Sequence, residues 1–309
     1  MDLDADFAIP GVEASPHARD GRAVALKLGP RSEVERGFEK AGERISELRF
    51  DDGRLAVSVD AVEEQGYLAH AFDFGHARVG PDGRKVLIAP LDAQPSWVWQ
   101  RYLTGQVLPL AALLQGQEVF HASVLGVNGT AIAVIAHSGV GKTTTALELA
   151  LAGLDFMSDD VLVLEPHEDS VLAHPGIGLA NVRPGADQLL QRLERSGLAT
   201  PIGRSERETR IAIRRSNDPL PLGALFVLNR FDERRELSVE RLEPVEPRIL
   251  LAGTFIFSIR APERLARQLD ICARIERSAS VFWVSAGSDV PAEAVAEGIL
   301  KHATASLPC

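Results

Sequence analysis

Three short stretches of this sequence hold residue types whose spacing could do chemistry together. The first is Ala136-His137-Ser138-Gly139-Val140-Gly141-Lys142-Thr143. It has the form of a Walker A loop with alanine in the first glycine position. Such a loop turns backbone N–H groups onto phosphate oxygens and adds the positive end of the helix that follows. Lys142 would neutralise the β- and γ-phosphates, and the Thr143 hydroxyl would ligate Mg²⁺. Ser138, Gly139, Val140, Gly141, Lys142, Thr143 and Thr144 are therefore the candidate ATP-binding residues. The second stretch is Ser158-Asp159-Asp160, ahead of the apolar run Val161–Leu164. In an adjacent pair, one carboxylate can hold Mg²⁺ while the other accepts a proton from an attacking hydroxyl. The third is His121, an imidazole able to tune a nearby base by charge and hydrogen bonding.

These residues can meet only if the intervening elements return the chain to one point. Apolar strands are predicted over Phe120–Val127 and Thr130–Ile135, with a helix over Lys142–Ala152 that stops at Gly153. Asn128-Gly129 is a strong two-residue hairpin signal. With those two at the turn, Val127 pairs with Thr130, and the same register carries His121 opposite Ala136, at the mouth of the loop. A one-residue slip would turn His121 to the other face. Most phosphate-loop folds approach this strand through a parallel crossover, so an antiparallel partner bearing a histidine marks a different subclass.

The rest of the chain divides by pattern. The first third reads as β-rich: Arg22–Leu28, a hairpin of Leu48–Phe50 with Leu55–Val59 around Asp51-Asp52-Gly53, and Phe72–Val79 with Lys85–Ala89 around Pro81-Asp82-Gly83. The carboxylate pairs Asp51-Asp52 and Glu63-Glu64 fit turns. Trp97 and Trp99 fall in a helix over Ser96–Tyr102, and Val107–Gln115 reads as a short apolar helix. Beyond Glu118 strands alternate with helices, the pattern of an α/β layer architecture. Strands are expected at Val161–Leu164, Ala224–Leu228 and Val281–Val284, and helices at Ala261–Ile275 and Pro291–Ala303. Leu189–Arg215 reads as a helix followed by a mobile loop, its arginines on a solvated face. Ser123 reads as an ordinary strand residue. The implied organisation is a β-rich domain over 1–105 and a catalytic domain over 106–309.

Composition removes several classes. With 33 Lys and Arg against 43 Asp and Glu, the net charge of −10 argues against a general nucleic-acid binder. No apolar run approaches the roughly 18–20 residues that cross a bilayer, so no membrane partner is expected. The acidic start Met1-Asp2-Leu3-Asp4-Ala5-Asp6 does not resemble a secretory signal. Cys272 and Cys309 make no disulfide framework. A cytoplasmic protein is the expectation, and self-association as a homo-oligomer is left open.

Together, Phe120-His121-Ala122-Ser123, Ser138-Gly139-Val140-Gly141-Lys142-Thr143 and Asp159-Asp160 resemble the HPr serine kinase family and its relatives. The resemblance implies the P-loop kinase fold of the HPr kinase/phosphoenolpyruvate-carboxykinase-like type. It also implies Asp159 as catalytic base assisted by His121, Thr143 and Asp160 on Mg²⁺, and transfer from ATP to a hydroxyl, with a serine of a protein or peptide as acceptor. Alternatives are a nucleotide-switched ATPase or binding protein, and a small-molecule kinase of the same fold. The resemblance covers residues 118–165 and, loosely, the chain to 303. The Glu-Ile-Arg-Gly signature of the bacterial HPr kinase/phosphorylases is absent; the corresponding region reads His174-Pro175-Gly176-Ile177-Gly178-Leu179-Ala180-Asn181-Val182-Arg183. The β-rich first third, leading through a short apolar helix into a histidine-bearing strand, is similar to that of the divergent members, which include lasso-peptide precursor kinases.

Overall fold

The computed structural model describes residues 3–12, 23–38, 42–91, 96–231, 233, 236–255, 259 and 261–306. Arg22 and Cys309 lie outside these. The chain clusters into two compact units, Met1–Gln117 with Ile256–Arg264, and Glu118–Phe255 with Leu265–Cys309.

The first unit is built on a seven-stranded sheet of order β1-β2-β7-β6-β5-β4-β3. Its strands are β1 (Leu3–Ala5), β2 (Val24–Leu28), β3 (Glu43–Arg49), β4 (Leu55–Val62), β5 (Gly66–Ala71), β6 (Gly75–Val79) and β7 (Lys85–Pro90). From β3 to β7 it is an antiparallel meander, with Asp-Gly in the tight turns from β3 to β4 and from β6 to β7. Strand β6 starts at Gly75, because Phe72–Phe74 form the turn from β5. Helices α1 (Arg31–Val34), α2 (Ser96–Tyr102) and α3 (Leu108–Leu114) belong to this unit, the last two joined by a π-helical turn over Leu103–Val107. Trp99 is buried against Phe7 and Phe74 in the core of this unit.

The second unit is mixed α/β. Strands β8 (Glu118–Phe120), β9 (Ala122–Val127), β10 (Thr130–Ile135), β11 (Asp155–Ser158), β12 (Leu162–His167), β13 (Ser170–His174) and β17 (Leu220–Phe231) run in the order β11-β9-β10-β17-β13-β12-β8, with β19 (Ser280–Gly287) and β18 (Ser238–Arg241) beyond β17. The pairing of β10 with β17 and of β17 with β19 is parallel. The β10 sequence Thr-Ala-Ile-Ala-Val-Ile alternates between two cores, with Ile132 and Val134 in one and Ala131, Ala133 and Ile135 in the other. Burial on both faces is why it reads as a continuous apolar run. Helices α4 (Lys142–Leu151) and α8 (Ala292–Ser306) fill one side, with Leu147 and Val295 fully buried; α6 (Pro247–Leu251) and α7 (Pro262–Ser278) fill the other through Leu250, Ile271 and Ile275.

The hairpin register is the one that Asn128-Gly129 specifies: Thr130 pairs with Val127, and the ladder runs on to Ile135 with Ala122. Asn128 and Gly129 both take positive φ, as a type I′ turn demands. His121 does not extend this ladder to Ala136. The predicted strand Phe120–Val127 breaks there into β8 and β9, and the His121 N–H bonds Gly253 O at 2.7 Å. Nor is Leu189–Arg215 a helix with a mobile loop. After α5 (Asp187–Arg195), strands β15 (Ala199–Arg204) and β16 (Thr209–Ile213) form a hairpin that joins β14 (Leu179–Val182) in a three-stranded sheet. Arg210 is buried there at 2% exposure rather than on a solvated face, since burial of Ile211, Ile213, Leu190 and Leu193 draws the hairpin onto the core.

Candidate functional site

Two neighbouring strands break at the same level, and the site forms in the gap. On one side the chain passes from β8 to β9 through His121; on the other it passes from β11 to β12 through Asp159, Asp160 and Val161. Strand β11 pairs with β9 as far as Ser158 with Val124, and pairing resumes between β12 and β8 at Leu162 with Phe120. A bulge at Met157 precedes the break, a device that re-aims side chains beside functional sites. Asp160 takes φ +64°, and the Val161 N–H bonds the Asp159 carbonyl at 2.8 Å, so the corner is sharp. Ser158 Oγ holds it from behind by donating to Val161 O at 2.5 Å. Gly176 packs so closely on that hydroxyl that a Cβ would lie 2.1 Å from it, which accounts for glycine in the His174–Arg183 stretch.

The glycine-rich loop leaves β10 and enters α4 beside this gap. Gly139 and Gly141 adopt φ of +88° and +107°, conformations that favour glycine. Gly141 is the N-cap and supplies no side-chain cap. A capping serine or aspartate would add about 1 kcal/mol, whereas burying Leu147 and Leu149 contributes roughly 1.5–3 kcal/mol each. Packing thus holds the helix, and its first-turn N–H groups are left for a ligand. His137, Ser138 and Gly139 are exposed; Val140, Thr143 and Thr144 are half-buried.

From the start of α4, Lys142 reaches into the gap at 6% exposure. Its Nζ lies 2.9 Å from His121 Nε2 and 3.2 Å from Asp160 Oδ1. His121 Nδ1 is 2.9 Å from the Asp160 carbonyl oxygen. That oxygen can only accept, so the proton sits on Nδ1 and Nε2 accepts from lysine; the ring is neutral. Burial, then the Lys142 charge, lowers the pKa of this imidazole in the same sense. Phe255 stacks on the ring at 5.5 Å and fixes its plane.

Thr143 Oγ1 contacts Asp159 Oδ2 at 2.9 Å and Oδ1 at 3.1 Å. Ser123, fully buried on β9, donates to Asp159 Oδ1 at 2.5 Å. Burial and then the Asp160 charge push the Asp159 carboxyl up to about 6, while Lys142 and the bonds from Ser123 and Thr143 pull it down. The Asp160 side chain is 41% exposed. His121 bonds the Asp160 backbone and Lys142, not the Asp159 carboxylate.

His121, Lys142 and Asp160 thus form one hydrogen-bonded group, and Thr143 and Asp159 a second beside it, the two joined through the backbone at 142–143 and 159–160. Ser123 belongs to the second group, although its sequence context is that of an ordinary strand residue; only its place opposite the broken corner marks it. Two arginines flank the loop. Arg183 Nη2 lies 3.4 Å from Ser138 Oγ, and Arg230 Nε lies 3.8 Å from where a Cβ on Gly141 would stand. Arg230 reaches the loop from the end of β17, and its Nη1 donates to the Val290 and Gly287 carbonyls at 2.5 and 3.2 Å. Its guanidinium pKa is lowered by burial.

Among the described residues no three His, Cys, Asp or Glu side chains gather as a metal-holding group. The all-oxygen pair of Thr143 and Asp159 does suit a hard divalent cation that shares its coordination with phosphate. Two carboxylates facing one lysine also leave the gap short of positive charge. Among the described residues, no helix is long and apolar enough to cross a membrane.

No family model matches the chain, and no curated protein matches it in sequence. Among solved structures, the chain is similar to the HPr(Ser) kinase/phosphatase from Coxiella burnetii, at 12% identity and a TM-score of 0.32, over 61% of this chain and 97% of that one.

Proposed function

We propose that the second unit is an ATP-dependent phosphotransferase that moves the γ-phosphoryl group to a hydroxyl, with a serine of a protein or peptide as the acceptor class. The observation that carries this reading is Lys142, held at a helix N-terminus between His121 and Asp160 while the next residue, Thr143, holds Asp159. A hydrolase needs only an oriented water, whereas a half-exposed carboxylate beside a neutral histidine suits removal of a proton from an incoming alcohol. The serine acceptor follows from the resemblance of the sequence motifs.

In this reading, the loop N–H groups and Lys142 bind the phosphates, and transfer proceeds by positioning and charge neutralisation. Thr143 and Asp159 would hold Mg²⁺, which supplies charge neutralisation on the phosphate oxygens. Asp160 takes the acceptor proton, and His121 holds the Asp160 backbone in place. This exchanges the two aspartate roles that the resemblance implies. The reason is geometric: both Asp159 oxygens already face hydroxyls in a buried pocket, while Asp160 is open to a substrate.

Incubating the native chain and Lys142→Ala with [γ-³²P]ATP, Mg²⁺ and fractionated extract tests the reading. Label should appear on protein or peptide with the native chain and vanish with the variant. Slow hydrolysis with no label on any protein, peptide or small hydroxyl compound would instead identify a nucleotide-switched ATPase. Label confined to small molecules would identify a small-molecule kinase.

A further inference from the structure

We propose that Arg183 is the residue that meets the transferring phosphoryl group, an arginine supplied in cis from the three-stranded sheet. The assignment rests on the phosphotransferase reading of the same loop and names a participant that the motifs do not contain.

Its backbone is fixed. Val182 forms the last ladder pair of β14, with Thr209, and is buried at 2% exposure. Pro184 follows with a constrained φ, and Gly185 at φ +94° turns the chain into α5. Arg183 is thus the first residue off a firmly anchored strand. Its side chain extends to the Ser138–Gly139 lip of the loop. A Cβ at Gly139 would stand 3.1 Å from Arg183 Nη1, so the guanidinium lies close against the loop.

The charges nearby single it out. Lys142 is paired with Asp160, Arg230 is bonded to two carbonyls, Arg192 meets Glu148, and Arg204 meets Asp187. Among the described residues Arg183 has no carboxylate partner; its one hydrogen bond is the long contact to Ser138. An exposed guanidinium parked over a phosphate-binding loop, with no counter-ion among the described residues, suits a planar anion with several equatorial oxygens.

During transfer, a lone pair on the acceptor oxygen forms a bond to the γ-phosphorus. The bond from that phosphorus to the β–γ bridging oxygen breaks, its electron pair staying on ADP, and the acceptor proton passes to Asp160. Arg183 donates N–H groups to the phosphoryl oxygens as charge spreads over them. An arginine so placed acts on rate far more than on ground-state binding.

The test needs no acceptor. Calorimetry on the full chain, Arg183→Ala and Arg183→Lys measures MgATP binding, then MgADP binding with and without aluminium fluoride; single-turnover phosphate release measures hydrolysis. The native chain should bind MgADP more tightly with aluminium fluoride. Arg183→Ala should bind MgATP within about threefold of native, lose that tightening, and release phosphate on the order of 10²–10³-fold more slowly. Arg183→Lys keeps the charge but not the planar fork, and should stay nearer to alanine than to native. An Arg183→Ala chain that keeps both the tightening and the rate overturns the assignment. So does one whose MgATP binding weakens as much as the fluoride complex, which would make Arg183 a ground-state clamp. A native chain that binds no MgATP overturns the nucleotide reading itself.

Discussion

Each unit contains a histidine cluster, and the two are built differently. In the first, His70 on β5 and His76 on β6 face each other across a regular ladder, ring centroids 4.6 Å apart. His70 Nδ1 lies 3.0 Å from Gly75 O, and His76 Nδ1 lies 3.2 Å from Glu35. Burial and the neighbouring His70 push His76 down to about 4, and burial also lowers His70. In the second, His121 is lowered too, but it stands where two strands break together and a helix begins. A perturbed histidine alone therefore marks no site. What distinguishes His121 is backbone released from pairing, so that a lysine, two carboxylates and two hydroxyls converge. The unit 1 pair spends its backbone groups in the ladder and faces no such loop.

The sharpest way to break this contrast is at the aspartates. Asp160→Asn is expected to keep MgATP binding yet slow transfer by about 10²–10⁴-fold. Asp159→Asn should lose Mg²⁺-dependent nucleotide binding. Calorimetry beside labelled transfer separates them, and the opposite pattern restores Asp159 as base. Lys142→Ala should cost on the order of 10²–10³-fold in transfer, with weaker ATP binding, while His76→Leu leaves both unchanged. If His76→Leu matched it, the two clusters would not be functionally distinct.

Stability gives the smaller effects. Ser123→Ala removes a donor from a buried carboxylate and should destabilise the second unit by about 1–3 kcal/mol in urea unfolding; an unchanged midpoint would show that Thr143 suffices for Asp159. In the first unit, His76 is held neutral, its pKa falling from 6.5 to about 4 on folding. The unfolded chain therefore binds the extra proton between those values. The contribution of His76 is complete above about pH 6.5 and is lost as the pH falls toward 4. Denaturant midpoints at pH 7 and 4.5 should differ less in His76→Leu than in the native chain.

Much of this was legible in residue order. Asn128-Gly129 set a register that the ladder reproduces pair by pair, because a two-residue turn permits one alignment of its strands. The glycines at 139 and 141 carried their positive φ in their identity. The β15–β16 hairpin was not legible: Pro201, Gly203 and the arginines mask any alternation, and packing on the core supplies what local propensity does not. Ser123 was equally silent, since a serine in an apolar strand carries no local signal of the carboxylate it faces.

By itself, then, the order of residues determined the loop, the helix it caps and the hairpin that leads to it, since each depends on neighbours within a few positions. The tertiary structure alone decided that β8–β9 and β11–β12 break at one level, that Asp159 faces Thr143 while Asp160 faces Lys142, and that Arg183 arrives over Gly139. Those outcomes depend on which strands become neighbours in a sheet. Strand order is settled by long-range burial and pairing, and no local periodicity encodes it.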